Sequence, residues 1–190
     1  MAPLAPSIPG FALERPHRAD ARRNFDALLG AARRTFADAG TDVPLEDVAR
    51  RAGVGIGTLY RNFPSRRDLL EAVYVAEVEE LCQAAHDVAG REPYDAFTTW
   101  LRQFASYVVT KHALMEGLDK QSEIFQACRS AMHAAIGPVF ARAVAAGAIR
   151  DDASLDDVLR MIAGVIASHY ADEEQRERVL RLALDAIRPR

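Results

Sequence analysis

The sequence is short of cysteine: Cys82 and Cys128 are its only two among 190 residues. Two thiols supply neither a disulfide framework nor the paired spacing of a zinc finger, and they suit a reducing cytoplasm, the expected compartment. Long apolar runs are absent as well. No uncharged stretch approaches the roughly 18–20 residues that a membrane helix needs, which excludes a transmembrane reading. The first residues carry Pro3, Pro6 and Pro9, with no cationic side chain before Arg15, unlike a secretory signal. No charge of one sign dominates, since 24 basic residues face 27 acidic ones for a net charge of -3. The whole chain is therefore neither a polycation nor a disordered acidic tail, and any affinity for nucleic acid must be local. Lysine is nearly missing, and the preponderance of arginine over it fits a GC-rich genome better than a function. An alternating apolar–polar pattern of the kind that marks a strand is found nowhere.

What is abundant is alanine, 35 residues by count, within an apolar fraction of 49%. Alanine is the strongest helix former, and this length favours one compact unit or two tightly joined ones, so the expected fold is all-α with about nine helices. Residues 1–17 are proline-rich and aperiodic and read as a flexible N-terminal arm. From Asp20 to Ala39 the residues Phe25, Leu28, Leu29, Ala32 and Phe36 recur on one helical face, closed by Gly40. Short helices are expected over Pro44–Ala52 and Ile56–Asn62, the second stopped by Phe63-Pro64. Ser65 and Asp68 form a capping box that opens a long helix through Val88. Helical patterns then cover Pro93 to about Thr110, a short Ala113–Lys120 and Glu123–Ala146, the last with a bend at Gly137-Pro138. A second capping box, Ser154 with Asp157, starts a helix to about Tyr170, and the last spans Asp172–Ile187.

Charge is unevenly distributed along this order. Residues 15–67 hold eleven arginines and six acids, whereas the rest of the chain holds 13 basic and 21 acidic residues. A cationic front on an acidic body is what binding a polyanion through one end requires. Charge alone does not separate that from arginines that merely solvate helix faces. Spacing does, because two short helices joined by Gly53-Val54-Gly55 have the dimensions of a helix-turn-helix, whose second helix enters the major groove by its N-terminal side. On that helix Gly55 and Gly57 allow close backbone approach, and Thr58, Tyr60, Arg61 and Asn62 offer hydroxyls, an aromatic body and donors to bases or phosphates. Arg18 adds a cation where the first helix begins, while Leu59 and Phe63 are expected to face inward. The same glycines do not make a nucleotide-binding fingerprint, because they follow a helix rather than a strand and have the wrong spacing.

The stretch Leu45-Glu-Asp-Val-Ala-Arg-Arg-Ala-Gly-Val-Gly-Ile-Gly-Thr-Leu-Tyr-Arg-Asn-Phe-Pro-Ser-Arg-Arg-Asp-Leu-Leu70 resembles the DNA-binding signature of the TetR family of transcriptional regulators. The resemblance covers about residues 18–70 and is carried most specifically by Gly-Thr-Leu-Tyr-Arg-Asn-Phe-Pro. It implies base or phosphate contact for Thr58, Tyr60 and Asn62 and phosphate contact for Arg66, with Arg61 at a position that varies within the family. Two departures stand out. Val43-Pro44 replaces the usual Ser or Thr before the second helix and removes a hydroxyl, and Ile56 replaces a frequent Lys, offering a thymine methyl an apolar contact instead.

The resemblance further implies that residues 18–64 form the DNA-binding domain and residues 65–190 a ligand-binding and dimerisation domain. The bulky stripe Trp100, Phe104, Tyr107, Met115, Phe125, Cys128 and Met132, with His112 and His133 as polar groups, is the candidate site for an apolar or aromatic effector, although such a stripe also simply fills a core. Leu155, Leu159, Ile162, Ala163, Ile166, Leu180, Leu184 and Ile187 are the candidate homodimer surface. His112, Glu116 and His133 could be drawn as metal ligands but read better as ordinary side chains, Cys82 and Cys128 as buried apolar residues rather than a redox pair, and no nucleophile–base arrangement emerges. The expected function is thus a cytoplasmic homodimeric repressor of double-stranded operator DNA with no cofactor and no enzymatic activity. An activator or effector-independent regulator is the alternative, and a helical enzyme the remote one.

Overall fold

The computed structural model describes residues 8, 10–11, 13–114 and 122–189, with the side chains of residues 112 and 113 left out. Among these there are eight helices and no strand. They are α1 (Ala19–Ala39), α2 (Leu45–Arg51), α3 (Ile56–Asn62), α4 (Arg66–Asp87), α5 (Pro93–Leu114), α6 (Glu123–Ala145), α7 (Leu155–Ala167) and α8 (Glu173–Asp185). The expected short helix over 113–120 falls almost wholly outside the described residues, and α5 runs through Leu114 rather than ending near Thr110. Pro138 sits inside α6 without ending it.

The chain packs as two compact units, one made of Met1–Glu79 and Thr110–Arg129, the other of Glu80–Val109 and Ser130–Arg190. In the first, the apolar face of α1 buries Phe25, Leu28, Leu29, Ala32 and Phe36. Leu45, Val48 and Ala49 of α2 and Leu59 of α3 are buried in the same unit. Phe63, extended at φ -134° because Pro64 follows, lies with its ring 5.0 Å from that of Phe25. Gly40 and Gly53 take φ of 77° and 71°, a region that side chains with a Cβ avoid, and so end α1 and open the α2–α3 turn. The Ser65–Asp68 box is formed, each backbone N–H meeting the other residue's side-chain oxygen at 2.8 and 3.2 Å. Farther along α4, the Glu77 carboxylate accepts from Arg33 of α1 at 2.8 Å. Phe125 stacks on Tyr74 at 5.4 Å, joining the 110–129 segment to α4 within this unit.

Within the leading segment the described residues include contacts that the sequence pattern does not announce. Ile8 is 1% exposed, and Arg15 reaches both Asp26 of α1 (3.5 Å) and Glu79 of α4 (3.4 Å). A single isoleucine among prolines carries no periodicity, which is why the sequence pattern gave no sign of it.

The second unit is built on Trp100, fully buried, which stacks on Phe104 at 5.5 Å and donates its indole N–H to the Leu81 carbonyl at 2.9 Å. Phe97 meets Phe140 edge-on at 5.3 Å. The Ser154–Asp157 box opens α7, and the hydrogen bonds from Ser154 hold the Asp157 carboxyl below the ordinary aspartate range. Asp172 caps α8 by accepting from the Gln175 N–H at 2.7 Å. Tyr94 donates its hydroxyl to the Leu184 carbonyl at 3.1 Å, and its burial pushes its pKa upward.

Glu79 provides a pH test of its own burial beside Arg15. Burial raises its pKa above the ordinary glutamate range, against the opposing pull of Arg15 and a backbone hydrogen bond from Leu13. The native state therefore holds this proton to higher pH than the unfolded chain does, and stability falls as pH rises from the ordinary glutamate range through the raised folded value. Melting temperatures followed across that window are expected to fall for wild type relative to Glu79→Gln; parallel curves would contradict the assignment.

Candidate nucleic-acid interface

The sequence makes α2 and α3 short by punctuation. Pro44 starts α2, Gly53 turns the chain, Gly55 caps α3 and Pro64 stops it. The turn is closed by backbone bonds from Gly53 to Arg50 (3.1 Å) and from Val54 to Ala49 (3.0 Å). With Leu59 fully buried on one side of α3, the opposite side is left to solvent: Tyr60 is 46% exposed, Gly55, Gly57 and Arg61 are exposed, and Ile56, Thr58 and Asn62 are half-buried. A Cβ built on Gly55 or Gly57 would meet nothing within 4 Å, and neither glycine has positive φ. Nothing inside the protein requires glycine at either place.

Two hydrogen bonds organise this surface. Arg61 donates from Nη2 to the Thr58 hydroxyl at 3.0 Å, and Asn62 donates from Nδ2 to the Thr58 carbonyl at 2.7 Å. Arg66, expected to touch phosphate, makes hydrogen bonds within the protein. Its Nη1 donates to the carbonyls of Thr41 at 2.5 Å and Val43 at 2.7 Å, fixing the loop between α1 and α2. Arg51 likewise bridges to Asp38 at 2.7 Å. Sequence reasoning missed these ties because the Arg66 partners are backbone carbonyls 23 and 25 positions away, which no spacing rule marks. Arg18 stands exposed immediately before α1.

The candidate effector residues fall in both units. Trp100, Phe104 and Tyr107 form a run of aromatic contacts along α5 in the second unit, with Phe104 and Tyr107 centroids 5.8 Å apart, and Met132 is buried there too. His133 of the same unit places Nε2 3.3 Å from Asp156. Phe125 and the buried Cys128 belong to the first unit, where Lys111 Nζ lies 4.8 Å over the Phe125 ring. Met115 and the His112 side chain lie outside the described residues. A groove of about 410 Å³ is present elsewhere in the second unit, among Arg102, Val109, Ile166, Arg176 and Leu180, and none of the candidate effector residues lines it. Among the described residues no group of three or more His, Cys, Asp and Glu is placed to hold a metal ion, and no helix is long and apolar enough to cross a membrane.

The candidate dimer residues divide by burial. Leu159, Ile162, Leu180, Leu184 and Ile187 are 0–6% exposed within a single chain, so they are already spent on its own core. Leu155, Ala163 and Ile166 are half-buried, and Leu182, which the apolar periodicity did not single out, is 68% exposed.

Two family models match this chain, one described as bacterial regulatory proteins of the tetR family over residues 28–73, the other as the C-terminal domain of SbtR-like transcriptional regulators over residues 92–189. The chain belongs to the TetR family of transcriptional regulators. A TetR transcriptional regulator from Streptomyces coelicolor is 37% identical, with 87% of this chain and 98% of that one covered at a TM-score of 0.75. A TetR transcription regulatory protein from Mycobacterium vanbaalenii is 32% identical, covering 91% and 99% at a TM-score of 0.70. The HTH-type transcriptional repressor KstR of Rhodococcus jostii is 29% identical over 151 residues, 78% of this chain and 69% of that protein. TetR-family proteins are DNA-binding transcription factors rather than enzymes, and they bind operator DNA.

The hydrogen bonds of Arg66 have a measurable consequence in this TetR-family chain. Arg66→Ala leaves two carbonyls without their charged donor and is expected to cost about 1.5–3 kcal/mol in thermal or denaturant unfolding. Arg66→Lys, which keeps one cation but loses the planar fork, should recover part of that stability. Unchanged melting in the alanine variant would show that the loop does not depend on this side chain.

Proposed function

We propose that this protein is a homodimeric repressor that occupies an operator through α3 and leaves it when a small apolar or aromatic molecule binds. The observation that carries the proposal is the outward side of α3: a short, externally supported helix that presents glycine backbone, Thr58, Tyr60, Arg61 and Asn62 from a locally basic part of the chain. Gly55 and Gly57 fit this reading because their missing side chains serve no internal packing and would let a duplex approach the backbone closely. Ile56 would face a base edge and Arg18 and Arg66 phosphates. The assignment of repression is supported by the likeness to the repressor KstR. Cytoplasmic location follows from the proposed target.

Functionally, residues 18–64 would bind DNA and residues 65–190 would sense and dimerise. The packing adds a route between these roles, since the 110–129 segment carrying Phe125 belongs to the same compact unit as α1–α3 and stacks on α4 through Tyr74. An effector would act by favouring one arrangement of α4 over another, and its influence is limited by its differential affinity for the two. For the dimer, the half-buried Leu155, Ala163 and Ile166 and the exposed Leu182 are among the apolar groups on α7 and α8 still open to a second copy, supported from beneath by the buried residues of the same helices. Pairing would place two copies of α3 on half-sites about one helical turn apart, or a multiple of it.

Tyr60→Ala tests the surface directly. The side chain is 46% exposed, so the variant should melt within a few degrees of wild type. Its affinity for genomic fragments selected by the wild-type protein should fall at least several-fold at fixed salt. Equal retention of those fragments by both proteins would remove α3 from the interface.

A further inference from the structure

The arginines of the first unit are not equivalent. Most are matched to carboxylates: Arg50 to Asp47 at 2.5 Å, Arg51 to Asp38 at 2.7 Å, Arg67 to Glu71 at 2.7 Å, Arg33 to Glu77 at 2.8 Å, and Arg23 to Asp20. Arg66 is committed to two carbonyls. Arg61 differs from all of these. Its side chain is exposed on α3, and among the described residues no ion pair engages it and its hydrogen bond goes to the neutral hydroxyl of Thr58.

That pairing has two effects. A hydroxyl acceptor leaves the full positive charge in place, whereas a carboxylate would neutralise it before any partner arrived. It also removes part of the rotamer freedom of a long side chain, so less entropy remains to be lost when the guanidinium meets a ligand. A guanidinium carries five N–H donors in a planar fork. The bond to Thr58 uses one of them on Nη2, which leaves a complete two-donor edge free. The base edge that accepts two such donors side by side in the major groove is that of guanine, through O6 and N7. The backbone of Thr58 is held by the helix and by Asn62, which donates to its carbonyl at 2.7 Å one turn along.

We infer that Arg61, held in orientation by the Thr58 hydroxyl, reads one guanine in each operator half-site, and that Thr58 acts as its positioning residue. The inference rests on the reading of α3 as the DNA-contact surface and specifies what that surface prefers. It also gives Arg61 a role in sequence choice instead of in general phosphate attraction. A phosphate contact would weaken binding to all sequences alike, whereas a base contact changes which sequence is bound.

The test is selection from a randomised duplex library at constant salt by wild type, Arg61→Ala, Thr58→Val and Thr58→Ser, followed by binding measurements on the winning duplex and its single-base variants. Wild type is expected to select one guanine at a fixed place in each half-site. Replacing that guanine should weaken wild-type binding roughly 5- to 150-fold. For Arg61→Ala the same replacement should matter little. Thr58→Val, which keeps the shape and loses the acceptor, should blunt the guanine preference by a larger factor than it reduces affinity for non-specific duplex, and Thr58→Ser should restore it. An unchanged guanine preference in Arg61→Ala overturns the inference, as does a uniform loss across all sequences with a salt dependence shallower by about one ion. Failure of wild type to select any duplex would instead overturn the reading of α3 on which the inference stands.

Discussion

A helix of seven residues has no stability of its own in water, where about 12–15 residues are marginal even for favourable sequences. α3 is helical because Leu59 is buried completely and Phe63, just past its end, packs on Phe25 of α1. Every outward group on α3 takes its position from those inward contacts. Arg66 adds a second restraint by holding the carbonyls of Thr41 and Val43, and so the entry to α2. The candidate interface is thus a surface presented by a small core, its placement set largely by the inward-facing Leu59 and Phe63. This division of labour suits a protein that must hold donors in register with a groove before contact is made.

Charge follows the same economy. The first unit carries many arginines, yet most of them are absorbed by nearby carboxylates or carbonyls, and exposed pairs of that kind add little to stability. What they leave is a surface whose uncompensated donors are few and defined by place. Counting arginines along the sequence therefore overstates the free positive charge of this region and understates its organisation. Glu77 and Glu79 show the opposite case, two acids of α4 buried beside Arg33 and Arg15, where removing a partner would strand a carboxylate away from water.

Much of this was legible in the residues. The period of Phe25, Leu28, Leu29, Ala32 and Phe36 announced α1, glycine and proline marked the limits of α2 and α3, and Ser65 with Asp68 and Ser154 with Asp157 gave both capping boxes. Local chemistry is written locally. The two hydrogen bonds of Arg66, the burial of Ile8 and the Arg15–Glu79 pair were not legible, because each depends on residues brought together from distant parts of the chain. The apolar faces of α7 and α8 show a further limit. Periodicity identifies a face that must be covered but not what covers it, and Leu159, Ile162, Leu180, Leu184 and Ile187 are covered within the chain itself. For the effector residues, an aromatic stripe looks the same whether it fills a core or lines a cavity, and Trp100 already spends its indole N–H on Leu81.

The most direct measurement is amide hydrogen exchange of the full chain, free and bound to a duplex fragment recovered from genomic DNA. In the free protein the amides of Leu59 and Phe63 should exchange as slowly as those of the α1 core, since α3 opens only when its supports do. Added duplex should deepen protection between residues 41 and 66, centred on α3. Protection that appears elsewhere and spares this stretch, or fast exchange throughout α3 in the free protein, would contradict the account.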